Sequence, residues 1–253
     1  MISRRGFRSL GHPPRPFPPE GDFLGEPARS ATELLVAVRR AVRCATAAGR
    51  TWHPVLDAVR AQGDGIWRAL SPDARRRIVR HLRPFWDIHR FRIAPQIDAV
   101  LDRKLADGSL ELRKARLGAA QAEPAIISID LRDVRRNATT RETFDTIVVA
   151  TGPAHRDILR LQPYLRELAH SGFVALDALG LGLHTSHNGR AIGISGRPEP
   201  TLFIAGPLAR GTFGELMGMP QVSNYALFIA DEACAELSKG HVQPKARLSM
   251  AGG

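Results

Sequence analysis

Two short apolar runs, each stopped by a glycine, constrain this chain more than any other feature. Residues 144–153 read Phe-Asp-Thr-Ile-Val-Val-Ala-Thr-Gly-Pro, and residues 201–211 read Thr-Leu-Phe-Ile-Ala-Gly-Pro-Leu-Ala-Arg-Gly. Ile147, Val148 and Val149 are consecutive and β-branched. A half-exposed strand alternates apolar and polar side chains, so this run predicts a strand over 144–150 covered on both faces. Thr151-Gly152 and Gly206 then let the chain turn sharply and bring bare backbone close to a neighbour or a ligand. An ordinary buried strand that ends on Thr-Gly is the alternative reading.

The rest of the chain divides by period. Residues 1–29 carry six prolines and no apolar repeat, which predicts an extended connector on a surface. From Ala31 the period is helical: Leu34, Leu35, Val38 and Val42 share a face until Gly49 stops it. Trp52, Val55, Leu56 and Val59 predict a second short helix. Ser71-Pro72-Asp73 is a helix start, interrupted at Pro84, and Pro95 opens another helix that runs to about Asp107 before Gly108. Residues 30–108 thus read as a helical subdomain.

After Gly108 the period becomes two. Leu110 and Leu112 alternate with Glu111 and Arg113, and Ile127, Ile129 and Leu131 alternate with polar residues. Asn137 marks a turn before the run at 144–150. These signals predict a parallel-sheet strand, an antiparallel meander and a central buried strand. Short strands follow around 182–186, 190–194 and 201–205, with a closing helix from Pro220 to about Leu237. Residues 239–253 read as a disordered tail.

Composition narrows the function classes. The net charge is +11, and it comes almost wholly from arginine, since the lysines are only Lys104, Lys114, Lys239 and Lys245. An Arg-, Ala- and Gly-rich chain with so little Lys suggests a GC-rich bacterial source. That reading weakens the step from a high pI to nucleic-acid binding. Cys44 and Cys234 stand alone, without a disulfide or zinc framework, which favours a cytoplasmic setting. Ser3-Arg4-Arg5 imitates a twin-arginine export signal, but Pro13-Pro14-Arg15-Pro16 stands where an apolar stretch is required.

Five ordered stretches carry a resemblance. They are Ser-Arg-Arg-Gly at 3–6, Trp-Asp-Ile-His-Arg-Phe-Arg at 86–92, the two runs quoted above, and Gly-Thr-Phe-Gly-Glu-Leu at 211–216. Together they resemble the FAD/NAD(P)-binding flavoprotein oxidoreductases, the family of FAD-dependent urate hydroxylase and aspartate N-monooxygenase. The resemblance implies an α/β fold of the two-dinucleotide-binding, Rossmann-like kind. No G-x-G-x-x-G occurs in this chain, so the expectation is a partial fold that lacks both fingerprint units. Residues 109–153 would end the NAD(P)-binding lobe, and 154–238 would be the C-terminal part of the FAD-binding lobe.

The resemblance also proposes site residues. Ser3, Arg4 and Arg5 would lie at the end of a strand beside the adenosine ribose. An Arg there pairs with a 2′-phosphate, which favours NADPH over NADH. A solvated basic N-terminus is the competing reading. Ala150, Thr151 and Gly152 would turn beside a cofactor, although the family's usual Asn-Ala-Thr-Gly is Val149-Ala-Thr-Gly here. Gly206, Pro207, Leu208 and Gly211 would pass beside the flavin ring. Pro220 would open a helix whose positive end faces the ring. Where many relatives carry Trp-Glu, this chain has Gly214-Glu215.

No catalytic residue is named, and no nucleophile or metal motif stands out. Three hypotheses follow. The chain is the C-terminal portion of an FAD- and NAD(P)H-dependent monooxygenase acting on a small polar molecule, completed by a missing N-terminal half. Or it is an inactive remnant. Or it is an Arg-rich nucleic-acid or partner-binding protein, a reading drawn from the seven arginines of 75–92 interleaved with Phe85, Trp86 and Phe91. Without the fingerprint turn, FAD and NADPH are expected to bind weakly or not at all.

Overall fold

The computed structural model describes residues 1–133, 136–150 and 157–240. It is a mixed α/β structure of two compact units. Unit 1 comprises Met1–Ala61 with Pro72–Gly152, and unit 2 comprises Gln62–Ser71 with Pro153–Gly253.

Unit 1 joins a four-stranded sheet to a set of helices. Strand β1 (Ile2–Ser3) pairs parallel with β2 (Arg113–Ala122). Strands β3 (Ile127–Asp133) and β4 (Thr139–Phe144) follow as an antiparallel meander, in the order β1-β2-β3-β4. The alternation is visible in the packing: Ala115, Ile129 and Leu131 are buried, with Ile2, Phe144 and Ile147 against them. The β3–β4 turn uses Asn137 in the left-handed region at φ 52°, a conformation Asn tolerates.

The helices of unit 1 start and stop where local chemistry dictates. In α1 (Ala31–Ala47) the Ser30 hydroxyl accepts the Glu33 N–H at 3.1 Å, and Gly49 ends the element at φ 71°. Helix α2 (His53–Ala61) buries Val55 and Ala58. Pro72 opens α4 (Pro72–Arg77), which runs through a π turn at Ile78–Leu82 into α5 (Arg83–Arg90). Pro84 has no N–H to offer the carbonyl four residues back, and the wider turn accommodates that loss. Helix α6 (Pro95–Ala106) stops before Gly108, at φ 77°.

Unit 2 contains α3 (Gly63–Ala69), α7 (Ile158–Leu161), α8 (Pro163–His170), the hairpin β5 (Arg190–Ile192) with β6 (Pro198–Phe203), α9 (Arg210–Phe213) and α10 (Met219–Gly240). Its core includes Leu165, Val174, Leu183, Ile204, Phe213 and Tyr225. The Tyr225 hydroxyl donates to the Ile204 carbonyl at 2.8 Å, and burial pushes that phenol well above its usual range.

Two expectations are corrected. The strand expected over 144–150 ends at Phe144: Asp145 bends, and 146–150 pair with no strand. Val148 is 86% exposed and Val149 73% exposed. β-branched residues favour a strand only when a neighbour supplies the ladder, and no described strand does so here. The run at 201–205 does not join a parallel sheet either. Its first residues belong to β6, antiparallel to β5 in a separate two-stranded sheet. At 182–186 the chain makes only isolated bridges, Leu176 with Leu183 and Thr185 with Ala191. Residues 241–253, most of the expected tail, lie outside the described residues.

Candidate functional site

The first locus lies in unit 1 at the carboxyl end of β1. Ile2 pairs with Arg113 and Ser3 with Lys114. The Gly6 N–H donates to the Ser3 carbonyl at 3.3 Å, and the Phe7 N–H donates to the Ser3 hydroxyl at 3.0 Å. Gly6 takes φ +68°, and a Cβ there would lie 3.1 Å from that of Lys114. Ser3 therefore ties the turn at both levels, backbone and side chain. Arg4 and Arg5 stand at its tip, both exposed. Arg8 is clamped between Asp98 and Asp102, whereas Arg4 and Arg5 have no acidic partner among the described residues. Two uncompensated guanidinium groups at the carboxyl end of a parallel strand form an anion-binding position.

The second locus lies in unit 2, where the chain leaves β6. Gly206 takes φ +91°, and a Cβ built on it meets nothing within 4 Å, so that side of the backbone is open. Pro207–Ala209 form a 3-10 turn that leads into α9. The Leu208 carbonyl accepts the Leu183 N–H at 2.8 Å.

Gly211 sits against buried Asp177: a Cβ would come within 2.6 Å of the carboxyl carbon. That carboxylate accepts the N–H groups of Leu179, Leu181 and Gly182 at 2.7, 2.7 and 2.5 Å. On its other side the Gly211 carbonyl accepts the indole N–H of Trp67 at 2.9 Å. Pro220 is exposed in the first turn of α10.

The motif at 86–92 builds an anchor in unit 1. Arg92 makes a two-point pair with Asp57 at 2.8 and 3.1 Å, and its side chain is only 8% exposed. Its guanidinium lies 5.2 Å from the Trp52 ring centre. Trp52 stacks on His53 at 3.7 Å and meets His89 edge-on at 4.7 Å. His53 Nε2 lies 3.1 Å from the Gly11 carbonyl, and Nδ1 lies 2.9 Å from the Thr51 hydroxyl. Burial pushes the His53 imidazole below its usual value. Elsewhere in the arginine-rich stretch, Arg76 pairs with Asp73 and Arg83 with Asp87.

The structure thus brings Ser3, Arg4 and Arg5 together in unit 1. It brings Gly206, Pro207, Leu208 and Gly211 together in unit 2. Ala150 is exposed, outside any strand, while Thr151 and Gly152 lie outside the described residues. Trp67, Asp177, Trp52, His53 and Asp57 escaped the sequence reading. Trp67 is 144 positions from its partner Gly211, and no local pattern spans that distance. A cavity of about 270 Å³ in unit 1, between Asp22, Phe23, Leu34 and Arg40, holds none of the expected site residues.

Among the described residues no group of His, Cys, Asp and Glu is placed to hold a metal ion. No helix among them is long and apolar enough to cross a membrane. No family model matches the chain, and no curated protein matches it.

Proposed function

We propose that this chain forms part of an FAD- and NADPH-dependent oxidoreductase of the flavin monooxygenase type, acting on a small polar molecule. The observation that carries this reading is the Ser3–Gly6 turn. Exposed Arg4 and Arg5 sit at the carboxyl end of a strand in parallel pairing, the position where open α/β sheets receive a nucleotide. A 2′-phosphate there would meet two guanidinium groups that have no acidic partner among the described residues. Gly206, with its open backbone, fits a role beside the flavin ring.

The cofactors, when bound, supply the redox chemistry; this chain's residues orient and bind. Arg4 and Arg5 hold phosphate, Gly206 offers bare backbone, and Asp177 keeps the 206–211 turn in shape. The exposed run Val148-Val149 fits a lobe that needs a further strand, the one that carries a G-x-G-x-x-G turn. The chain alone is therefore expected to purify colourless or to hold FAD weakly.

Calorimetric titration with 2′-AMP and 5′-AMP tests the reading. Binding of 2′-AMP should be about tenfold tighter, corresponding to about 1.4 kcal/mol, and Arg4→Ala with Arg5→Ala should erase the difference. Equal binding of the two nucleotides by the unaltered chain would sink the NADPH assignment.

A further inference from the structure

We propose that Trp67 is the aromatic wall of the Gly206–Gly214 site, placed to stack on a planar fused-ring heterocycle. The proposal rests on the flavin reading above and narrows it to recognition of the isoalloxazine ring.

Three observations within unit 2 carry it. The indole N–H of Trp67 is pinned to the Gly211 carbonyl at 2.9 Å, so the ring has a fixed orientation on the turn. The pyrrole side of the same ring lies over Gly214, where a Cβ would come within 2.9 Å of Trp67 Cγ and 3.0 Å of its Cβ. Gly214 also takes φ +77°, which favours glycine. Residue 214 is therefore bare because helix α3 delivers an aromatic side chain to that spot. The indole itself is only partly buried. An aromatic ring locked by a hydrogen bond, and not closed over by the core, is a preorganised stacking surface.

The turn is rigid enough to make that surface useful. Gly211 is held between the Asp177 carboxyl group and Trp67, and Thr185 Oγ1 donates to Thr212 Oγ1, which donates to the Thr185 carbonyl. Glu215 packs its Cβ 3.5 Å from the Cβ position of Gly63, at the start of α3. Helix and turn thus behave as one piece, with the open backbone of Gly206 earlier in the same turn. A planar heterocycle gains from stacking on an immobile ring, because little side-chain freedom is lost on binding.

Lumiflavin is the probe, since it carries the isoalloxazine ring without the phosphates that a glycine fingerprint would hold. Replacing Trp52 and Trp86 by Phe leaves Trp67 as the sole tryptophan. Lumiflavin should then quench Trp67 emission saturably, with the midpoint seen by polarisation of its own fluorescence. Trp67→Leu should weaken binding about tenfold, and Trp67→Phe by less than about threefold, because the ring remains.

Unchanged lumiflavin affinity in Trp67→Leu, or binding without quenching, overturns the proposal and leaves the flavin reading standing. No saturable binding by the unaltered chain overturns both. Should Trp67→Leu fail to fold, the quenching experiment on the sole-tryptophan chain decides.

Discussion

Gly182 and Gly49 are glycines for different physical reasons, and the difference is measurable. A Cβ on Gly182 would lie 2.1 Å from the Leu208 carbonyl oxygen, a backbone atom in the turn after Gly206. Gly49 has open space around it but takes φ +71°. The first position is steric, the second conformational. Gly49→Ala is expected to cost about 1 kcal/mol. Gly182→Ala is expected to cost about 3 kcal/mol, because a main-chain turn must move to admit the methyl group. Urea unfolding of both variants checks the contrast, and equal losses would remove it. The same crowding explains why the Gly206–Gly211 turn keeps one shape: Leu208 approaches Gly182 closely, and Asp177 approaches Gly211.

At the scale of elements, the Trp86–Arg92 motif fastens an extended segment to helices. Leu10 N–H donates to the Ile88 carbonyl, Ile93 N–H to Leu10 and His12 N–H to Ile93, each at 3.0 Å. Gly11 and Ile93 form a parallel bridge, and Arg50 grips Glu20 at 2.6 and 2.7 Å. His53, at the start of α2, holds the same segment through Gly11.

That contact makes the junction pH-dependent. Burial, the largest cause, lowers the folded imidazole below 6.5; Arg92 and His12 add to the shift, while the Gly11 bond and Asp57 oppose it. The unfolded state binds the proton more readily, so the contribution is complete above about pH 6.5 and is lost as pH falls below it. His53→Gln keeps a donor for the Gly11 carbonyl and removes the titration. Unfolding free energies at about pH 7.5 and about pH 5.5 should fall more steeply in the unaltered chain than in His53→Gln. Parallel pH dependence in the two would show that His53 does not control the junction.

At the scale of the whole molecule, the exposed Val148-Val149 run is the feature that most affects behaviour in solution. Val148 at 86% and Val149 at 73% exposure are apolar, β-prone and unpaired. Such a run is a template for strand addition. A net charge of +11 opposes self-association at low salt, and added salt screens that repulsion. The chain is therefore expected to dimerise or aggregate by size-exclusion chromatography as ionic strength rises. Val148→Lys with Val149→Lys should restore a monomer peak. A sharp monomeric peak of the unaltered chain at high salt, with cooperative thermal unfolding, would refute this and make a self-contained domain the better reading.

What the sequence determined by itself was local. Ser30 and Gly49 bracket α1, Pro95 and Gly108 bracket α6, and the alternation at 127–131 specifies a meander strand with Ile129 and Leu131 inward. Caps, breakers and side-chain period act over a few residues, so they are legible in any short window. The tertiary structure decided the rest. It placed Gln62–Ser71 with unit 2 and α2 with unit 1, although the two segments adjoin in sequence. It set Trp67 on Gly214 and Gly211, and it gave the Trp86–Arg92 motif its partners at Trp52 and Asp57. It also left 146–150 without a ladder, against the strongest β signal in the chain. A strand exists only where another strand completes its hydrogen bonds, and that partner is fixed by pairing across the fold rather than by the residues of the run itself.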